Sequence, residues 1–338
     1  MGKIVVVGGG LTGLLVIRVL NRLGYCPTLI EPDFALGGLA RGTVIGGNSV
    51  DAFPVFFSDN DFKRLQELGL ELNVVEIELT PTLLKHGPLK AKMWGYRKGS
   101  NELVKDLEDP WPIKWKGRLL YPRGGWSKLI ASWEKTLDFK WIHESLSRID
   151  VGGKKVKTYH GRVIVYDKLF YTLPLPEIPR RIGVEFPFKP RTCHMVSISI
   201  FSKGKPGYDW ITGFHGGTAI LPHTIVYTTR IIDGVEGYHS VSALISYREE
   251  GLPAGFLEQT ISRLRRMNII GADVVAERVY NARYACINTS DIDEDVRRRL
   301  VEELGDNDIV LVGRRALWKE MSLGDLVENV LEQVTSNL

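Results

Sequence analysis

The chain has 338 residues, 44% of them hydrophobic, and a net charge of only +4. That length exceeds one average domain and suits two, or one large α/β body with an inserted part. The basic bias suits anionic ligands but is far too weak to point to nucleic acid.

The three cysteines, Cys26, Cys193 and Cys286, are isolated and lack any CxxC spacing. They read as buried packing residues, with no zinc site and no disulfide, in a reducing compartment. A strand beginning at Lys3 leaves no room for a signal peptide, and no apolar run approaches the roughly 20 residues needed to span a bilayer. A cytoplasmic protein is the expectation. Glutamine occurs only at Gln66, Gln259 and Gln333, a compositional hint of a heat-loving source.

Residues 3–7, KIVVV, form a β-branched run suited to a strand buried on both faces of a parallel sheet. Gly8-Gly9-Gly10-Leu11-Thr12-Gly13 follows and fits GxGxxG. Leu14, Leu15, Ile17, Val19, Leu20 and Leu23 then repeat at helical spacing up to Gly24. A second strand over residues 27–30 closes on Glu31. Each residue type has a reason: Gly8 for the tight turn, Gly10 for close approach to a pyrophosphate, Gly13 for helix–sheet packing. The helix start, through Leu11 and Thr12, offers amides and partial positive charge to phosphate. Glu31 stands where a carboxylate accepts hydrogen bonds from both ribose hydroxyls. Strand, glycines, helix, second strand and acid in register predict a dinucleotide-binding Rossmann unit.

After Glu31 comes Pro32-Asp33-Phe34-Ala35-Leu36-Gly37-Gly38-Leu39-Ala40-Arg41. A nicotinamide dinucleotide has no need of a second glycine pair just past the ribose acid, whereas the longer flavin adenine dinucleotide (FAD) has. This stretch resembles the flavin-containing amine oxidase superfamily, which includes protoporphyrinogen oxidases, phytoene desaturases and UDP-galactopyranose mutases. The resemblance implies that Pro32 follows the ribose acid beside the cofactor. It also implies that Gly37, Gly38 and Leu39 lie along the diphosphate and ribityl chain, with Arg41 as a phosphate or flavin contact.

The similarity continues along the chain. Asp51-Ala52-Phe53-Pro54 sits where the family has an aspartate followed by Gly-Pro-His, but here the glycine and histidine are missing. Phe53, Phe56 and Phe57 read as either pocket wall or core. Tyr121-Pro122-Arg123-Gly124-Gly125-Trp126 resembles the family's Tyr-Pro-x-Gly-Gly turn, and residues 127–137 its following helix. Ile149, Val151, Gly152-Gly153 and Val156 read as a hairpin. Residues 166–176 resemble the strand that ends beside FAD, with Thr172 and Pro174 turning the chain back. Near the C-terminus, the strand at 308–312 and the Gly313-Arg314-Arg315 turn resemble the second FAD anchor. There Gly313 would approach the cofactor. Met321, Ser322 and Leu323 would open a last helix whose N-terminus points at the flavin pyrimidine edge.

The fold expected is thus α/β: a Rossmann-type FAD-binding domain, a parallel sheet with helices on its faces, plus an α+β substrate domain with an antiparallel sheet. The FAD-binding domain is read as residues 1–60, 118–185 and 270–338, and the substrate domain as 61–117 and 186–269. Residues 195–201, 224–231 and 238–246 read as its strands, and 256–267 as a helix against them. Arg283-Tyr284-Ala285-Cys286 is similar to a Tyr-Ala-x-Pro segment near the flavin in mutases and protoporphyrinogen oxidases, without its proline.

No catalytic constellation or metal-ligand spacing appears, as expected where a flavin carries the chemistry. Arg97, Arg230, Arg248 and Arg283 are candidates to clamp a carboxylate or diphosphate, and Tyr227, Tyr247 and Tyr284 to flank a flavin. His194, His215, His223 and His239 read as structural. The leading function is an FAD-dependent oxidoreductase that takes a hydride from a C–N or C–C bond of a small organic substrate. The alternatives are a mutase-like isomerase using reduced FAD and a non-enzymatic FAD-binding protein. No transmembrane segment is expected, peripheral membrane contact stays open, and substrate, electron acceptor and oligomeric state are not legible.

Overall fold

The computed structural model describes residues 2–45, 48–96, 107–109, 111–183, 193–232, 234–248 and 251–338. Its first layer is a five-stranded parallel sheet, ordered Ile309–Leu311, Lys168–Tyr171, Ile4–Val7, Thr28–Ile30, Lys140–Ile142. The KIVVV run explains the central strand. Ile4 and Val6 face a core shared with the first helix, Leu11–Arg22, and the last, Leu323–Thr335. Val5 and Val7 face a second core, closed by a three-stranded meander and the helix Glu294–Asp306. A strand buried on both faces needs no polar alternation.

The second layer is a six-stranded sheet, ordered Val274–Cys286, Cys193–Lys203, Tyr238–Tyr247, Thr224–Tyr227, Thr212–His215, Thr82–Lys85. All its pairs are antiparallel except the last. The helix Phe256–Arg266 covers one face through Leu264 against Ile198, Ile200 and Val241. Residues 228–231, read as strand, turn instead into a short 3-10 helix, Thr228–Arg230.

Sheet membership moves two expected borders. Val274–Cys286 pairs along its length with Cys193–Lys203, so residues 270–286 go with the antiparallel sheet. The helix Asp59–Glu67 packs on the last helix, with Asp61 accepting the Gly324 amide at 2.5 Å, so it goes with the nucleotide-binding part.

One buried polar group ties the layers together, and a half-buried one braces a loop of the antiparallel sheet. The Asp51 carboxylate, 0% exposed, accepts from the Tyr121 hydroxyl at 2.5 Å, the Trp126 amide at 2.8 Å and the Ser127 amide at 3.3 Å. It thereby caps the helix Trp126–Glu134. Its own carbonyl accepts from Ser242 of the antiparallel sheet at 2.8 Å, and Ser197 donates to the carbonyl of Ala52. The second group is Lys92, whose ammonium donates to the carbonyls of His215, Gly217, Ile220 and Pro222 at 2.8–2.9 Å. Phe53, Phe56 and Phe57 are core residues, with Phe56 against Trp115 and Tyr121 and Phe57 against Trp126.

The cysteines depart from expectation. Cys193 and Cys286 face each other across paired strands as a disulfide, with Cα atoms 5.3 Å apart, and Cys26 is exposed rather than packed. Sequence spacing hides the pair, because 93 residues separate its members. No helix among the described residues is long and apolar enough to cross a membrane.

Burial raises the Asp51 pKa from 3.8 to about 6, against the pull of its three donors. Between those values the folded chain holds a proton that the unfolded chain has released. Stability from this group therefore falls as pH rises through that window, by about 3 kcal/mol, and is level above it. Asp51→Asn should flatten this slope in urea melts taken at intervals from pH 4 to pH 7. An unchanged slope would assign it to other groups.

Candidate functional site

The carboxyl ends of the parallel strands gather most of the predicted residues. The Gly8 amide bonds Ile30 at 3.0 Å, which turns the chain out of the first strand. Gly9 then donates its amide to Glu31 Oε2 at 2.7 Å, while Glu31 Oε1 accepts from Asp33 at 2.9 Å. The acid is thus held at the strand end, with a lone pair remaining on each oxygen. Burial raises its pKa above the usual carboxylate value, and the two amides oppose that rise.

The first helix begins at Leu11 with Gly10 as its cap, no capping side chain and no acid in the first turn. Among the described residues the amides of Thr12 and Gly13 have no partner, that of Leu11 faces only the Gly37 carbonyl across the parallel bridge, and Leu14 bonds back to Gly10. These amides and the helix dipole suit an anion. Gly13 is required for packing: a Cβ there would lie 1.9 Å from the Gly8 carbonyl oxygen. Gly10 is different. Its Cβ would meet nothing nearer than Gly38 Cα at 3.8 Å, so the fold itself tolerates a side chain there.

The second glycine pair joins the first. The Gly37 amide donates to Gly9 at 2.8 Å, residues 10 and 37 form a parallel bridge, and a Cβ on Gly38 would lie 2.9 Å from Gly10 Cα. Leu39 packs on Ala52 and Phe53, and Pro32 is exposed. Arg41 pairs with Asp33 and lies over the Tyr280 ring, 5.6 Å from its centroid. Thr172 spends its hydroxyl on the Val7 carbonyl at 2.8 Å, and so braces the glycine turn from behind. The C-terminal anchor arrives at the same place: a Cβ on Gly313 would lie 2.5 Å from Thr12 Cγ2.

The last helix starts differently from the first. Its start is capped by Ser322, which accepts from Asp325 at 3.1 Å, and by Asp61, which takes the Gly324 amide. Of its first three amides only that of Leu323 lacks a partner among the described residues, and Met321 packs into the core. With two amides taken and a carboxylate already in place, this end does not present the open N-terminus expected for a flavin edge. The sequence reading placed Arg314 and Arg315 in the anchor turn but gave them no role. Arg314 grips Glu320 at 2.7 and 3.0 Å, and both arginines donate to carbonyls of residues 283–285. An acid six residues after an arginine was the available signal.

The substrate-side candidates divide. His194, Tyr247 and Tyr284 meet at one end of the antiparallel sheet, with His194 centred 5.3 Å from Tyr247 and 5.5 Å from Tyr284. Arg248 lies over Tyr96, 4.3 Å from its ring centroid, and Arg283 is exposed beside Tyr284. Arg230 pairs with Asp209 at 2.9 Å toward the other end, and Tyr227 is core, bonding Ile269 at 2.7 Å. Arg230 therefore does not share a clamp with Arg248 and Arg283, and Arg97 lies outside the described residues. His223 sits between Thr224 and Ser246 at 2.8 and 2.9 Å, and burial first, then Lys92, lowers its pKa to about 3. His215 and His239 are also buried. The described residues hold no cluster of His, Cys, Asp or Glu fit for a metal ion.

Comparison with known proteins agrees with this geometry. Residues 6–69 match the NAD(P)-binding Rossmann-like domain family. No curated protein matches the chain in sequence. Among solved structures, a reduced UDP-galactopyranose mutase is similar at a TM-score of 0.79 and 15% identity, covering 99% of this chain and 93% of its own. A proposed protoporphyrinogen oxidase from Exiguobacterium sp. 255-15 gives 0.72 at 14% identity, covering 99% and 98%. Putrescine oxidase bound to putrescine gives 0.59 at 12% identity, covering 99% and 98%. The fold is therefore the one these proteins share, a Rossmann-like domain with its antiparallel partner, and the resemblance read from the motifs is borne out at that level.

The two glycines separate ligand binding from folding. Gly10→Val should leave a folded protein, at a capping cost of about 1 kcal/mol, that retains no dinucleotide. Gly13→Ala should not fold, because its Cβ has no room. Thermal melts and bound-cofactor absorbance on both variants check this; a folded Gly13→Ala would contradict the packing assignment.

Proposed function

We propose that the chain is an FAD-dependent enzyme of the oxidoreductase type, acting on a small organic substrate. The observation that carries this reading is the doubled glycine cradle. The open helix start at residues 11–13 and the Gly37–Gly38 segment meet across Gly10, with Glu31 held beside them. A nicotinamide dinucleotide would use the first segment alone; the second fits the longer FAD. The residues present suit that group: uncapped amides for its diphosphate, an oriented carboxylate for its ribose, and glycine where backbone and cofactor would come close.

When bound, FAD supplies the hydride or electron acceptor. The protein's part is to place and to enclose. The Thr12 and Gly13 amides bind and orient the phosphates, Glu31 fixes the ribose, and Gly313 over Thr12 closes the same site from the C-terminal side. His194, Tyr247 and Tyr284, on the facing sheet, would form an apolar wall with polar tips for the substrate, where water is excluded. The Nδ1 atom of His194 accepts from the Tyr284 amide at 3.1 Å, which leaves its proton on Nε2.

A second reading, an isomerase of the mutase kind that uses reduced FAD, is favoured by one observation. Arg248 and Arg283 directly follow Tyr247 and precede Tyr284, so two cations border the same aromatic end of the sheet. They are candidates for a diphosphate of the substrate. Activity on a sugar nucleotide only after reduction would select this reading, and substrate-dependent bleaching of the oxidised flavin would select the first.

The purified protein should show flavin bands in its visible spectrum and release FAD on denaturation. A colourless protein that also refuses added FAD would overturn both readings. Glu31→Ala should weaken FAD binding by about 1–3 kcal/mol, through the loss of charged hydrogen bonds. Unchanged flavin content would remove the ribose role from Glu31.

A further inference from the structure

The seam between the antiparallel sheet and the cofactor turn is built from one irregular stretch. Cys193 pairs with Cys286, but Met195 already pairs with Ala282. Three residues, 283–285, therefore stand opposite His194 alone. This is an enlarged bulge, and Tyr284 at its centre has φ +53°, a left-handed conformation unusual for an aromatic residue. Such strain persists only where surrounding contacts impose it.

Those contacts come from two sides. On one side the Cys193–Cys286 disulfide closes the bulge directly, both sulfurs being buried. On the other side three successive carbonyls are turned onto two arginines. Arg315 Nη2 donates to the carbonyls of Arg283 and Tyr284, and Arg314 donates to that of Ala285 at 3.3 and 3.4 Å. These arginines directly follow Gly313, the residue that sits on Thr12 at the start of the first helix. A continuous path of contacts thus runs from the disulfide, through the bulge and the arginines, to the turn that closes the dinucleotide cradle. A regular ladder would present alternate carbonyls to alternate sides; the bulge is what aims all three at one partner.

We propose that the Cys193–Cys286 disulfide is a latch for cofactor retention, holding the bulge in the shape that anchors Arg314 and Arg315 and so the Gly313 turn over the cradle. The retention half of this rests on the reading that the cradle holds FAD. Forming the bond removes one hydrogen from each thiol, with two electrons and two protons passing to dioxygen, which leaves as hydrogen peroxide. A dithiol reverses it by exchange, ending as its own cyclic disulfide while both cysteines regain their protons. Because both sulfurs are buried, exchange waits on opening of that sheet end, so the latch responds slowly to its surroundings.

The test uses the holoprotein in four measurements. Thiols are counted in guanidinium without reductant: one per chain, from Cys26, is expected, and three would overturn the latch. Hydrogen exchange is then followed over residues 282–286, before and after prolonged dithiol treatment and in a Cys193→Ser, Cys286→Ser double variant. At least tenfold faster exchange is expected on losing the bond; unchanged exchange would overturn the clamping of the bulge. If the double variant does not fold, the dithiol-treated protein decides alone. Flavin release is timed in oxidised and reduced wild type, with a rise of at least tenfold expected on reduction. In Arg315→Met release should already be fast and reduction should add less than twofold. Equal release from both wild-type forms, or a full tenfold effect persisting in Arg315→Met, would overturn the route through the arginines. A protein that binds no flavin would instead defeat the FAD reading, while thiol count and exchange still decide whether the bulge is clamped.

Discussion

A helix that starts without a cap, at the carboxyl edge of a sheet buried on both faces, is the constraint around which the rest of this protein is arranged. Amides that face no acceptor are costly unless something negative is brought to them. Four of the longer helix starts are capped by the chain's own acids and hydroxyls: Asp51 before Trp126, Ser58 before Asp59, Asp293 before Glu294, Ser322 and Asp61 at the last helix, whereas the start at Phe256, after Gly255, has no side-chain cap. At residues 10–13 glycine and open backbone stand near an acid, Glu31, that is held by the Gly9 and Asp33 amides. Glycine turn, open backbone and oriented acid together are the basis for reading this end as a place for a ligand.

Much of that was legible in the sequence because the contacts involved are local. Gly8, Gly13 and Glu31 lie within 24 residues, and their roles follow from chain reversal and close packing. The amphipathic repeat after Gly13 and the β-branched runs needed no tertiary information either, and the first and last helices and the central strands stand close to where they were expected. The second glycine pair was also legible, since it follows the ribose acid by only a short turn.

What was not legible depends on contacts between distant segments. Asp61 reaches the last helix from 263 residues earlier and turns an expected open N-terminus into a capped one. Cys193 and Cys286 meet only because two long strands pair in a particular register, and a single count of bulged residues decides whether they meet at all. Arg314 and Arg315 look like surface charge in a polar stretch, yet they are spent on carbonyls of the opposite sheet. The pairing of Val274–Cys286 with Cys193–Lys203 was hidden for a similar reason: a strand carries no mark of which sheet it will join. Arg230 stands apart from Arg248 and Arg283 because residues that are all cationic, and all on or near strands, can still lie at opposite ends of those strands.

The central claim is that both glycine segments serve one long dinucleotide. Calorimetric titration of the apoprotein with FAD, with flavin mononucleotide and with NAD tests it most directly. Tight, one-to-one binding of FAD, with the mononucleotide and NAD at least a hundredfold weaker, is the expected result. NAD binding as tightly as FAD would contradict it, because the second glycine segment would then contribute nothing that the first does not.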